Sequence, residues 1–111
     1  MKHKILLLSA NYYKDISREL CVDAYKTLKD HGNTEYDEMT VIPGVFEIPV
    51  LISRNIEKYD GFVALGCVIK GETPHFDFIS RATTDAIMNL SITHKKPIGN
   101  GILTCLNYDQ A

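Results

Sequence analysis

The chain has 111 residues, of which 45% are hydrophobic and 23% charged, and 12 basic against 14 acidic residues give a formal net charge of −2. This composition is typical of a globular domain; it has neither the low hydrophobicity of a disordered protein nor the basic excess of a nucleic-acid binder. The apolar runs at residues 5–8 and 62–65 are far shorter than the about 18 residues that a membrane span requires. We therefore expect one domain over residues 1–111 that binds neither nucleic acid nor membrane.

The amino terminus and the cysteines both favour a cytoplasmic protein. The apolar segment behind Lys4 is four residues long and reaches Asn11 without the cleavage pattern of a signal peptide. Cys21, Cys67 and Cys105 are odd in number and far apart, which argues against a disulfide framework or a structural zinc site. We expect a reducing compartment and no metal.

The chain begins with a buried strand and an amphipathic helix. Residues 5–8 are apolar without alternation, which is typical of a strand covered on both faces and so central in its sheet. From Asp15 onward, apolar residues recur four apart and the segment ends at Gly32, which predicts a helix with a glycine stop. Its apolar positions are Ile16, Leu20, Ala24 and Leu28.

A second strand, helix and strand follow. Residues 34–42 form a weaker strand that ends at Pro43 and Gly44, and a helix should begin near Val45 because Pro49 is tolerated only in a first turn. Residues 61–69 are nearly all apolar and predict the most buried strand.

The 3.6-residue period returns after residue 74. Thr73 would cap this third helix, and Pro74 would be its first residue. Residues 97–104 are predicted to form a fourth strand, and Asn107 would cap a last helix. Alternating strands and helices predict a parallel sheet with helices on both faces and right-handed crossovers.

Four loops at the carboxyl ends of these strands should form the site, because parallel α/β sheets bind ligands there. The loops are residues 10–13, 43–47, 70–75 and 104–107. Aromatic rings in the first two could sandwich a planar heterocycle whose edge Glu47 could bind. In the third, Gly71 permits close backbone approach, a helix N-terminus attracts phosphate, and the helix dipole favours a neutral His75 that can exchange protons. These groups indicate an enzyme that acts on a planar ring and a phosphorylated partner.

Three segments resemble the motifs of the lumazine synthase family. Residues 43–49, PGVFEIP, resemble its PGxFE[IL]P motif, and residues 66–77, GCVIKGETPHFD, resemble its GxVI[RK]GxTxH[FY]D motif. Residues 101–104, GILT, resemble its weaker GxLT signature. The order and spacing match across essentially the whole chain.

The resemblance implies a three-layer flavodoxin-like α/β domain whose four-stranded parallel sheet has the order 2-1-3-4. It implies the step of riboflavin synthesis that condenses 5-amino-6-ribitylamino-uracil with 3,4-dihydroxy-2-butanone 4-phosphate, without metal or organic cofactor. Tyr12 would stack on the uracil ring and His75 would donate and accept protons. The other substrate-binding residues that it implies are Val45, Phe46 and Glu47 at the ring and ribityl chain, Cys67, Val68 and Ile69 at the pyrimidine, and Glu72 and Thr73 at the phosphate.

Lys70 is a candidate for electrostatic support of the phosphate, whereas Cys67 is better explained as a small buried hydrophobe than as a nucleophile. The family forms pentamers, sometimes stacked into sixty-subunit shells, with each site between neighbouring subunits, so we expect a homo-oligomer. Asn100 stands where the family usually has an aromatic or small residue from the adjacent subunit. The family also continues beyond the Ala111 position to an arginine that holds the phosphate and to further helices, and we expect this domain to lack them.

The sequence argues against two other functions. A phosphorelay receiver needs an acidic cluster, which neither residues 9–11 nor residues 66–67 supply. A dinucleotide-binding domain needs GxGxxG after the first strand, and residues 8–12 do not have it. A non-catalytic ligand-binding or shell-forming protein of the same fold remains the alternative.

Overall fold

A computed structural model describes residues 3–30, 34–70 and 76–105. The elements in chain order are β1 (His3–Ala10), α1 (Lys14–Asp30), β2 (Thr34–Ile42), a 3-10 turn (Val45–Glu47), α2 (Ile48–Arg54), β3 (Gly61–Ile69), α3 (Phe76–His94) and β4 (Ile98–Cys105). The strands form one sheet in the order β2-β1-β3-β4, and every neighbouring pair is parallel. The predicted α/β class, strand order and alternation of elements are confirmed.

The two central strands are buried because helices cover both faces of the sheet. On one face, α2 and α3 pack against alternate residues of β1 and β3, including Leu6, Leu8 and Ala64. On the other face, Ile16 of α1 packs against Cys67 and Ile69. This two-sided cover explains why the sequences of β1 and β3 are continuous apolar runs rather than alternating ones.

The helices begin and end where local chemistry allows. Pro49 lies in the first turn of α2, as predicted, where its missing N–H removes no hydrogen bond of the helix. The 3-10 turn precedes α2, so the α-helix itself begins at Ile48, later than predicted. After α3 ends at His94, Lys95 has a φ of 54°, the left-handed conformation that commonly terminates a helix.

Polar ties join the strands at the amino-terminal edge of the sheet. The backbone N–H of Lys4 donates to the carboxylate of Asp60 over 2.8 Å, and the N–H of Asp60 donates back to the Lys4 carbonyl over 2.7 Å. The Lys96 ammonium donates to the carbonyls of Ile56 and Tyr59. These bonds fix the turn before β3 against the start of β4.

Within the described ranges, no helix has the length and apolar character needed to cross a membrane. The predicted caps Thr73 and Asn107, and Pro74, lie outside the described residues.

Candidate active site

A cavity of about 210 Å³ opens at the carboxyl-terminal edge of the sheet, between β1 and β3. In the sheet, β2 lies on one side of β1 and β3 lies on the other, so the strand order reverses between β1 and β3. Parallel α/β sheets bind ligands beside this reversal. The residues that line it are Tyr12, Tyr13, Gly44, Val45, Phe46, Glu47, Cys67, Val68 and Ile79.

Two adjacent tyrosines form the wall that follows β1. Their ring centroids lie 4.8 Å apart in an edge-to-face arrangement, and Tyr12 is 62% exposed whereas Tyr13 is half-buried. The buried hydroxyl of Ser17 donates to the carbonyl of Ala10, and the N–H of Ser17 donates to the carbonyl of Tyr13 over 2.9 Å. These two hydrogen bonds tie the connection that carries both tyrosines to the end of β1 and to the first turn of α1.

The opposite wall is the turn after β2. The N–H of Glu47 donates to the Gly44 carbonyl over 3.3 Å, which closes the 3-10 turn and directs the exposed Glu47 side chain to the cavity. Val45 is buried at the base of this turn, against Gly66 of β3. A Cβ at Gly66 would stand 2.5 Å from Val45 Cγ1, so only glycine lets the turn approach the sheet so closely.

Phe46 lies at the outer rim of the cavity. Its half-exposed ring is 6.3 Å from that of Phe78 on α3. The two rings, with Glu47 and Ile79, line a further groove of about 610 Å³. The cavity therefore continues outward as an apolar groove with one carboxylate in it.

The end of β3 forms the floor. Cys67 and Val68 both line the cavity although they face opposite sides of the sheet, because the cavity lies across the strand end. Burial raises the pKa of the Cys67 thiol to about 11, and the charge of Cys105 and a hydrogen bond with it add to the effect. Cys67 is therefore protonated at neutral pH, which removes the thiolate that nucleophilic catalysis would need.

The remaining candidates lie away from this cavity or outside the described residues. Ile69 is buried among side chains on the α1 face, and Lys70 is exposed, with its N–H donating to the Cys105 carbonyl over 2.8 Å. Asn100 is exposed in β4, opposite Ala64, and its side-chain oxygen accepts from the N–H of Ile102 over 3.0 Å. Glu72, Thr73 and His75 lie outside the described residues.

Three lining residues were not among the candidates from the sequence. Tyr13 adjoins Tyr12 and belongs to the same aromatic wall. Gly44 belongs to the PGVFEIP motif, and Ile79 lies on the face of α3 that packs against the core. Ile79 lines the cavity because α3 approaches the turn after β2. The periodicity of apolar residues in the sequence does not show this approach.

In the part of the chain that the structure describes, no group of three or more His, Cys, Asp or Glu side chains could hold a metal ion. The lining combines aromatic rings, apolar walls and one carboxylate. Such a lining binds a planar, partly polar ring by stacking and by hydrogen bonds at the ring edge.

Known proteins have sequences similar to that of this chain. A model of the 6,7-dimethyl-8-ribityllumazine synthase family matches residues 2–111. The 6,7-dimethyl-8-ribityllumazine synthase of Agrobacterium fabrum is 44% identical over 99% of this chain and 78% of its own length. The synthases of Corynebacterium kroppenstedtii and Bartonella tribocorum are 39% and 42% identical over 97% and 99% of this chain, and over 67% and 74% of their own lengths. The chain belongs to the 6,7-dimethyl-8-ribityllumazine synthase family.

Proposed function

We propose that this chain catalyses the penultimate step of riboflavin biosynthesis, in which 5-amino-6-ribitylamino-uracil and 3,4-dihydroxy-2-butanone 4-phosphate form 6,7-dimethyl-8-ribityllumazine. The family makes the chain a transferase that acts on small molecules. The observation that carries the site assignment is the cavity at the strand-order reversal, which has an aromatic wall, a carboxylate, and a strand end as its floor.

The uracil would bind between the tyrosine wall and the turn after β2. Tyr12 would stack on the ring, since its exposed ring can be covered by a ligand at little desolvation cost. Glu47 would accept hydrogen bonds from the ring or the ribityl hydroxyls, with Val45 and Phe46 beside it. The backbone groups of Cys67, Val68 and Ile69 would face the pyrimidine edge.

The second substrate would bind at the segment after β3. We propose that Glu72 and Thr73 hold the butanone phosphate, with Lys70 as electrostatic support. The uracil amine then attacks the ketone and loses water to form an imine, phosphate is eliminated, and the second amine closes the ring with loss of another water. His75 would carry protons to and from the reacting groups, a role suited to an imidazole near pH 7.

The chain forms homo-oligomers, as its family does, and we propose the pentamer as its basic unit, alone or in a sixty-subunit shell. Support comes from α3, which exposes Phe78, Met88 and Ile92 on one side. A neighbouring subunit would then add its Asn100 to each site.

We also propose that the protein works in the cytoplasm without metal or cofactor. In support, Cys21, Cys67 and Cys105 are odd in number and far apart in the sequence, a pattern typical of proteins from a reducing compartment rather than of disulfide-bonded ones.

The test is the formation of the fluorescent lumazine from both substrates. We expect the wild-type protein to exceed the spontaneous rate and His75→Ala to lower turnover about 10-fold or more, because positioned proton transfer contributes at least this factor. Binding of the uracil should be largely preserved. His94→Ala, at the exposed far end of α3, is the matched control and should keep the wild-type rate.

Two outcomes would contradict the proposal. Wild-type protein that forms no product above the spontaneous rate would favour the non-catalytic alternative, which the family match does not favour. An unchanged rate in His75→Ala would assign that histidine a structural role.

A further inference from the structure

Two thiols lie side by side at the floor of the cavity. Cys67 of β3 and Cys105 of β4 belong to one cluster of buried side chains on the α1 side of the sheet, and they are only 6% and 7% exposed. Cys67 also lines the cavity, so a small solute in it reaches the pair from that side. The reaction proposed above uses neither thiol.

The strand register makes this pair unsuited to a disulfide. Cys67 stands opposite Leu103, and Cys105 stands opposite Ile69, so the cysteines are diagonal neighbours offset by two residues. Strands spaced about 4.8 Å apart, with a rise of about 3.3 Å per residue, put such diagonal Cα atoms about 8 Å apart, whereas a disulfide needs about 4.4–6.8 Å. The sulfurs can touch, but bonding them directly would require the strands to shift.

A metal ion between the sulfurs avoids this problem. Metal–sulfur bonds of about 2.3 Å on each side let the two sulfurs stay more than 4 Å apart, about twice the separation in a disulfide. The described residues offer no third His, Cys, Asp or Glu at this place. Two thiols suffice for soft ions that accept two thiolates in a line.

The apolar side chains around the two thiols favour a bound ion whose complex with both thiolates has no net charge. Ile16, Ile69 and Leu103 pack around the two sulfurs, and an apolar environment of this kind disfavours any net charge. A divalent ion with two thiolates is neutral, whereas a monovalent ion would leave one negative charge buried.

We propose that Cys67 and Cys105 together form a binding site for one soft divalent ion of the Hg²⁺ class, which closes the floor of the cavity and blocks the ring-binding site. Each thiol releases one proton to solvent, the ion forms two metal–sulfur bonds, and no oxidation state changes. The blocking of catalysis, though not the binding, rests on the proposed function.

The experiment is a titration of the purified, reduced protein with Hg²⁺. In a Cys21→Ala background, one ion per chain should remove both remaining thiols from reaction with a chromogenic thiol reagent and produce the ultraviolet absorption of a mercury–thiolate bond. Adding Cys67→Ala or Cys105→Val should weaken binding by at least the about 10- to 100-fold that follows the loss of a supporting group at a metal site. Valine is chosen at position 105 because it suits a strand.

Circular dichroism of each variant before titration establishes that it is folded, and Cys105→Ser replaces Cys105→Val if the latter is not. Two ions per chain in the Cys21→Ala background, or equal affinity in either single-thiol variant, would overturn the paired site. Lumazine formation is measured in parallel, and one equivalent of Hg²⁺ should abolish it in the Cys21→Ala protein. Paired binding without inhibition would overturn only the blocking of the cavity, and paired binding in a protein without any turnover would separate this site from the proposed function.

Discussion

At the scale of single residues, Gly66 decides how closely the turn after β2 approaches the sheet. A Cβ at this position would stand 2.5 Å from Val45 Cγ1 and 3.3 Å from Ala10 Cβ. Neither neighbour is the flexible end of a long side chain, and Val45 is buried. The shape of the cavity therefore depends on the absence of a side chain on a strand that is otherwise rich in large ones.

We predict that Gly66→Ala destabilises the fold by about 1–3 kcal/mol, the usual effect of overpacking a core, and weakens binding of the uracil. Urea unfolding and a fluorescence titration measure the two effects. Gly99→Ala is the matched control, since a Cβ there meets nothing closer than 4.0 Å. Equal stability of the two variants would show that the turn can move aside.

The Cys67 thiol should make stability depend on alkaline pH. Burial, with the neighbouring Cys105, raises its pKa from 9.0 to about 11, so the fold favours the protonated form. This stabilisation is complete below about pH 9 and is lost as the pH rises through about 11. The change is at most about 2–3 kcal/mol, at about 1.4 kcal/mol per pKa unit, because partial solvation of the thiol at the cavity reduces it.

We predict that the free energy of unfolding of the wild-type protein falls between pH 9 and 11 more steeply than that of Cys67→Ala. Denaturant unfolding at several pH values measures this difference. Cys105→Val, which removes the neighbouring thiol, should reduce the slope in the same direction. Parallel curves for the wild type and Cys67→Ala would contradict the assignment.

At the scale of elements, the junction of β1 and α1 determines where the tyrosine wall stands. The Ser17 hydroxyl is buried and donates to the Ala10 carbonyl, which is the last of the strand. Three residues between the two elements carry the aromatic pair. A short connection fixed at both ends holds its side chains more firmly than a long loop would.

We predict that Ser17→Ala destabilises the fold by about 1–3 kcal/mol, because a buried carbonyl loses its partner, and lowers affinity for the uracil by loosening the tyrosines. Thr27→Ala is the control on the same helix. The Thr27 hydroxyl donates to the Asp23 carbonyl in an exposed position, and alanine there favours the helix. Equal unfolding free energies for both variants would show that the Ser17 hydroxyl does not stabilise the junction of β1 and α1.

The elements were predictable from the sequence where side-chain patterning alone defines them. The β3 bounds follow from an apolar run between Asp60 and Lys70. β1 extends beyond its apolar run because backbone pairing continues to His3 and Ala10, and hydrogen bonds between strands leave no trace in hydropathy. The walls that follow β1 and β2 could be located from the rule for parallel sheets, but the contact between Val45 and Gly66 could not, since it joins residues 21 positions apart.

At the scale of the whole molecule, exposed apolar side chains predict self-association. The proposed pentamer should have five times the mass of the chain in sedimentation equilibrium, and a shell would have sixty times this mass. We predict that Met88→Glu, which puts a charge on the exposed side of α3, shifts the protein toward smaller species. Lys29→Glu, on the polar surface of α1, is the control, and a monomeric wild-type protein would contradict the prediction.

The polar ties and the cavity lie at opposite edges of one sheet. The bonds between Lys4 and Asp60, and those from Lys96 to the carbonyls of Ile56 and Tyr59, lie where the strands begin. The cavity lies where β1 and β3 end. Substitutions that strengthen the first edge can raise the unfolding free energy without altering any lining residue. Stability gained there would then offset the loss from a change in the cavity wall. In this fold, stability and ligand specificity can therefore change separately, by natural selection or by design. Substitutions at the amino-terminal edge would raise the unfolding free energy, and substitutions at the carboxyl-terminal edge would alter the ligand.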